Sequence, residues 1–310
     1  MSESDAGGRA WIAVVLLAAF TIGFAPIFTK LALRTGIGPI AIAAWRLAIA
    51  ALAIAPFLLR ARPQPAADAP PDPDFAARPG RWALAVPGIC FAADLATWHL
   101  AFELTTAANA TVLANLAVLI VALAGYLFLG ERFDWRLPAG ALLGLVGVTS
   151  LIRLSLAAET VGPDQWKGDL ISLATAASYA GYILSVKWLR RGYGALPILV
   201  ASSAVGGALC FVLALAHGEA LVPAQSVGWL YLLGLGLLTH CVGQGLVAVS
   251  LKRLPASLVS VLLLTQPVHV AWLGALLLSE PLSLAQAGSM GLVLLAVGLA
   301  IYGRRAASSS

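Results

Sequence analysis

Ten long apolar runs set the pattern of this chain, at residues 10–33, 38–59, 82–103, 106–129, 136–154, 168–188, 195–216, 228–249, 256–278 and 283–303. About 20 apolar residues span a bilayer core as a helix, and lipid offers no partner to unpaired backbone groups. Each run is therefore expected to be one membrane-crossing helix. Composition excludes a soluble fold: 60% of the 310 residues are apolar and 11% charged, against about 25% charged in soluble domains. The run beginning at Ala10 outlasts the apolar core of a secretory signal and reads as the first retained span. Residues 60–81, with six prolines and Asp68, Asp72 and Asp74, read as a Pro-rich cytoplasmic linker within one membrane domain.

The cations orient the bundle. Arg9, the four arginines of the linker, Arg132, Arg136, Lys187, Arg190, Arg191, Lys252, Arg253, Arg304 and Arg305 all fall on one side, which makes 14 of the 19 Lys and Arg. The other side holds Arg34, Arg153, Lys167 and Lys30, and Arg46 lies inside the second span. By the positive-inside bias, both termini face the cytoplasm of a multi-pass inner (plasma) membrane protein. The net charge of +5 follows from this topology, and no basic run exceeds two residues, so nucleic acid is not a partner. Cys90, Cys210 and Cys241 sit singly in apolar stretches, which suggests neither disulfides nor a metal site, and no cofactor is implied.

An internal repeat determines the architecture. Lys30-Leu-Ala-Leu-Arg34-Thr-Gly36, with Pro39 beyond, returns as Lys187-Trp-Leu-Arg190-Arg-Gly192, with Pro197 beyond. Phe128-Leu-Gly-Glu131 returns as Leu277-Leu-Ser-Glu280, and Gly140 and Gly147 match Gly291 and Gly298. Five spans per half is an odd number, so the second half enters the membrane in the opposite sense. The fold class expected is an all-α polytopic membrane protein, ten transmembrane helices as two five-helix inverted repeats over residues 1–155 and 168–305. Such frames place a binding site near midplane between the halves and work by alternating access.

With these residues assembled, the chain resembles the drug/metabolite transporter superfamily in its ten-helix EamA-like branch. The resemblance rests on Phe28-Thr-Lys30-Leu-Ala-Leu, Trp45-Arg46-Leu, Thr106-Ala-Ala-Asn109, Leu129-Gly-Glu131-Arg132, Gly168-Asp169-Leu, Leu251-Lys-Arg-Leu-Pro-Ala-Ser257 and Gln266-Pro267 through Glu280-Pro281. It implies outward transport of small metabolites such as amino acids, and within the family the chain is most similar to aromatic amino-acid exporters of the YddG type. The resemblance also implies a proline partway along span 4, where this chain has Val118, so a symmetric pair of proline hinges is not expected.

Ionisable and polar groups at membrane depth are functional candidates. Asp94 and Trp98 share a face of span 3, suited to an ammonium group or a proton and to stacking or cation–π attraction. Thr111 and Asn115 on span 4, Tyr179 and Tyr182 on span 6, His240 and Gln244 on span 8, and Gln266, His269 and Trp272 on span 9 could line the same cavity or serve as interhelical glue. Lys30 and Arg46 read as buried charges with a structural or gating role, Arg46 paired with Asp94, Asp169 or a substrate carboxylate. Glu131 and Glu280 read as helix-end residues that bond nearby loops. Pro26 and Pro267 read as hinges inside spans 1 and 9. Trp11, Trp82, Trp135, Trp166, Trp188 and Trp229 fall at span ends and read as interfacial anchors.

The reading is a monomeric carrier that exports aromatic or bulky neutral amino acids, with membrane lipid as its solvent and protons as a candidate coupling ion. Efflux of lipophilic cations is the alternative within the same fold. A membrane-embedded enzyme lacks its motifs, since no HExxH, no G-x-S-x-G and no facing pair of midplane aspartates occurs. A channel's charged ring or carbonyl filter has no trace either.

Overall fold

The computed structural model describes residues 3–60, 80–102, 104–105, 107–155, 165–277 and 282–308. The linker core and Glu280 lie outside the described residues. Span 1 comprises α1 (Glu3–Ile22) and α2 (Ala25–Leu33), and span 2 is α3 (Pro39–Arg60). Span 3 is a 3-10 turn (Arg81–Ala85) leading into α4 (Val86–Phe102). Span 4 comprises α5 (Ala107–Ala114) and α6 (Ala117–Phe128), span 5 is α7 (Arg136–Ser155), span 6 is α8 (Gln165–Leu189) and span 7 is α9 (Ala195–Ala216). In span 8, α10 (Val227–Leu233) passes through a π-helix (Gly234–Gln244) into α11 (Gly245–Ser250). Span 9 is α12 (Ala256–Leu263) and α13 (Gln266–Leu277), and span 10 is α14 (Leu284–Ser308).

Among the described residues nine spans are long and apolar enough to cross a membrane, and span 3, whose α-helical part has 17 residues, completes the ten. Their packing carries the symmetry of the repeat. Exchanging the halves turns span 1 into 6, 2 into 7, 3 into 8, 4 into 9 and 5 into 10. Under that exchange the contacts of α3 with α9, α6 with α12 and α7 with α14 map onto themselves, while α4 with α8 maps onto α1 with the π-helix. The chain is thus two five-helix halves packed about a pseudo-two-fold axis, the frame of an inverted repeat.

Spans 1, 4 and 9 are broken near their middles, at Gly23–Phe24, Asn115–Leu116 and Leu264–Thr265. Pro26 and Pro267 are each the second residue of the helix that resumes after a break, where a missing N–H costs little. Span 4, with Val118 where a proline pair would need its partner, breaks without proline, at the position that matches the Leu264–Thr265 break. Polar side chains stabilise both turns, Asn115 Nδ2 donating to the Thr111 carbonyl at 2.8 Å and Thr265 Oγ1 to that of Leu262 at 2.8 Å.

Each end of the bundle carries a carboxylate that caps a helix of the other half. At the cation-rich end Glu131 is buried, and its carboxylate accepts from the Ala256 N–H, the Ser257 N–H (3.0 Å) and the Ser257 hydroxyl (2.7 Å). At the opposite end Glu219 accepts from the N–H groups of Ile40 and Ala41 at 3.2 and 2.9 Å. A carboxylate at a helix N-terminus meets both unpaired donors and the positive end of the dipole.

The matched glycines have different environments. A Cβ on Gly140 would lie 2.7 Å from the Ala296 carbonyl oxygen of α14, whereas one on Gly291 meets nothing within 4 Å. Gly140→Val should destabilise by about 1–3 kcal/mol, the usual cost of overpacking, and Gly291→Val should stay within about 0.5 kcal/mol. Thermal melts of the two purified variants check this.

Candidate functional site

The broken helices meet at one cavity of about 230 Å³. Ile22, Ala25 and Pro26 come from the span 1 break, Ala114 from span 4 and Gln266 from span 9, and Gln244 closes the π segment of span 8. Discontinuous helices at midplane are the usual construction of carrier sites, because exposed backbone is tolerated in a membrane only where it lines a cavity.

Two opposite charges face this space. Arg46 on α3 and Asp94 on α4 both line it and interact electrostatically. The Arg46 Nε is buried and bonds to no described atom, and its guanidinium lies 5.7 Å from the centroid of the Phe91 ring. Asp169, the other carboxylate considered for Arg46, is engaged elsewhere, accepting from Thr105 Oγ1 at 2.7 Å.

Aromatic and amide groups form the remaining wall. Trp98 and Phe91 line the cavity from α4, and Tyr179 and Thr175 from α8. Gln244 and Gln266 line the cavity beside Tyr179. Tyr182 stands behind this layer, fully buried, stacked on Tyr179 at 6.1 Å and tilted on Phe91 at 4.8 Å, with its hydroxyl donating to Gln244 Oε1 at 3.3 Å. Phe91 is the hub that joins Arg46, Tyr182 and His240.

Asp94, Trp98, Tyr179, Gln244 and Gln266 are thus brought together, with Arg46 and Pro26. The other candidates are not cavity-lining. His240 is buried behind Phe91, with Nε2 3.0 Å from Ser203 Oγ. Asn115 is turned back on its own helix, and Thr111 supplies the carbonyl it bonds. His269 packs edge-on against Phe20 at 5.5 Å. Trp272 leans on the same ring from the outer surface of the bundle, 45% exposed, which corrects its expected place in the cavity wall. Lys30 is also corrected. It is exposed in the last turn of α2, where a cation complements the helix C-terminus.

Sequence reasoning missed Phe91 and Thr175, although the spacing was available: Phe91 is three residues before Asp94 and Thr175 four before Tyr179. It also missed Glu219, whose partners lie in the other half.

The cavity is closed at the cation-rich end. Every residue of α12 is buried there beneath the Glu131 cap, whereas the cavity walls run from the breaks toward the cation-poor end. In a chain with Cys90, Cys210 and Cys241 replaced by alanine, a membrane-impermeant thiol reagent should label Val270→Cys, a half-buried lining position beyond the span 9 break, and leave Ser260→Cys unlabelled. Equal labelling of both would place the opening elsewhere.

The EamA-like transporter family matches residues 9–153 and, a second time, residues 166–302. An uncharacterized transporter of Methanothermobacter thermautotrophicus is 25% identical over 199 residues, covering 64% of this chain and 57% of that protein. The chain thus spans little more than half the length of that relative. A solved crystal structure superimposes with a TM-score of 0.78 at 21% identity, covering 97% of this chain and 98% of the other, a likeness of fold.

Proposed function

Because the chain belongs to the EamA-like transporter family, we propose that it is a secondary carrier of zwitterionic amino acids, aromatic or otherwise bulky and neutral, of the kind the aromatic amino-acid exporters of the YddG type move. The observation that carries this reading is the pair Arg46 and Asp94, two opposite charges lining one cavity without a direct ion pair among the described residues. A free amino acid carries the complementary pair. Its carboxylate suits the guanidinium fork and its ammonium group the carboxylate, while Phe91 supplies a flat apolar wall and Trp98 and Tyr179 apolar walls with polar tips.

Cavity size and charge both weigh against efflux of lipophilic cations. Pockets for drug-sized molecules run at about 300–1,000 Å³, above the 230 Å³ found here. A buried arginine also opposes a cationic ligand.

Transport follows as an exchange of which end is sealed. With α12 and Glu131 closing the cation-rich end, substrate exchanges with the cation-poor side. Movement about the breaks of spans 1, 4 and 9 would open the other side in turn. Fourteen cations on one side favour a cytoplasmic placement of both termini in an inner membrane. The carrier then moves its substrate down the gradient, outward from a cell that makes amino acids, and it works as a monomer. Asp94, committed to the ammonium group, is not left for a coupling proton, which favours facilitated diffusion.

In proteoliposomes, saturable movement of labelled tryptophan or phenylalanine is expected. Arg46→Gln and Asp94→Asn should each weaken apparent affinity about 10- to 100-fold, the worth of a charged hydrogen bond, with melting temperatures monitored alongside. Wild-type movement of cationic dyes with no amino-acid movement would overturn the reading.

A further inference from the structure

The sealed end is held by charged groups that the transport cavity does not use. Gly130, at φ +66°, turns the chain back after α6, and the Glu131 N–H bonds the Gly125 carbonyl at 3.0 Å. The Glu131 side chain folds over Gly125, where a Cβ would lie 2.8 Å from its carboxylate, and from there it caps α12. The turn at residues 251–255 that leads into α12 also has carbonyls to satisfy. Their donors come from α8: Lys187 Nζ donates to the Leu254 carbonyl at 2.8 Å and Arg190 Nε to that of Ala248 at 3.0 Å. Lys187 is half-buried and attracted by the Glu131 carboxylate. The entry to α12 is thus clamped by its carbonyls from α8 and by its amides from the end of α6.

Spans 4 and 9 pack unequally on the two sides of their breaks. On the cation-rich side α6 lies along α12, packing that has no equal between α5 and α13 among the described residues. The cavity lies there instead, lined by Ala114 of α5 and by Gln266 and Val270 of α13. The internal repeat that aligns Glu131 with Glu280 aligns Val121 with Val270, which stand five residues past Leu116 and Thr265. Val270 is half-buried in the cavity wall, whereas Val121 is wholly buried.

We propose that Glu131 and Lys187 are the latch of the carrier on its cation-rich side. They hold α6 on α12; when they release, these segments part, the cavity opens to that side, and Val121 takes the place that Val270 has now. The inference rests on the alternating-access reading above and not on its substrate. Glu131 belongs to the first half and Lys187 to the second, so their contact crosses the seam between the halves. A latch must hold and still open reversibly. Hydrogen bonds to charged groups at the end of a bundle suit this, because on opening each group exchanges its partner for water and the net worth of the bond is modest.

The test uses the full chain purified in detergent, with its three cysteines replaced by alanine and one cysteine placed by Val121→Cys or Val270→Cys, and reads the rate of labelling by a membrane-impermeant thiol reagent. With the latch intact, Val270→Cys should react and Val121→Cys should be protected. Glu131→Gln and Lys187→Met should each speed labelling of Val121→Cys at least about tenfold, the worth of one charged hydrogen bond, and slow that of Val270→Cys. Lys187→Arg, which keeps the charge and a donor, should keep the original pattern. Glu131→Gln preserves the shape of the side chain and one accepting oxygen, so the test stands even if Lys187→Met does not fold. A merely structural role would speed labelling at both positions together, or lower the melting temperature with neither rate changed, and either result would overturn the proposal. Labelling needs no substrate, so it decides the latch whatever the cargo is.

Discussion

In a hydrocarbon medium every backbone N–H and C=O must find a partner inside the protein, and an unpaired group costs several kcal/mol. A helix can break there only where side chains or an aqueous cavity meet the released groups. This chain breaks spans 1, 4 and 9 and loosens span 8 into a π-helix, and all four irregular points touch the same small space. The cavity and the broken helices therefore explain one another. The breaks supply the room and the points of bending, and the cavity makes the breaks tolerable. Asn115 and Thr265, each bonding back into its own helix at a matched turn, show the local chemistry that lets the two halves do this without sharing a proline.

The same constraint governs charge. An arginine or aspartate at midplane costs about 2.5–3.5 kcal/mol on insertion scales, so Arg46 and Asp94 need a compensating role. Facing one cavity, each lowers the cost of the other, and a zwitterion bound between them would complete both. The remaining polar groups of the interior are arranged around this pair. Tyr179, Gln244 and Gln266 line the cavity together, Tyr182 supports Gln244 from behind, and His240 is held by Ser203 outside the lining. Glu131 and Glu219, at opposite ends, fix helices of one half to the other.

Much of this was legible in the sequence, for reasons that also mark where legibility stops. Spans can be read because about 20 apolar residues are needed to cross lipid. The inverted halves can be read because Lys30 and Lys187, and Glu131 and Glu280, sit in matching phrases. Depth along a helix follows from position in the run, which is how Asp94, Trp98, Tyr179, Gln244 and Gln266 could be named together. Direction around the helix does not follow, because in lipid the outer face is as apolar as the inner one. That is why Trp272, on the stretch of α13 that is apolar beyond His269, was assigned to a wall that it does not line, and why Lys30 was counted as buried. The break in span 4 was missed because proline was the only signal sought, while the turn is stabilised by Asn115. Gly140 and Gly291 match in sequence, yet only the first lies at a helix crossing.

In the proposed carrier one cavity reads both charges of its substrate. The most direct test is competition against labelled tryptophan in proteoliposomes by two analogues that each lack one charge, tryptamine without the carboxylate and indole-3-propionate without the amine. If Arg46 and Asp94 each hold one end of the zwitterion, both analogues will compete at least about tenfold more weakly than tryptophan, as expected for loss of a charged hydrogen bond. Tryptamine competing as well as tryptophan would contradict the claim and make Asp94 the anchor of a cation site.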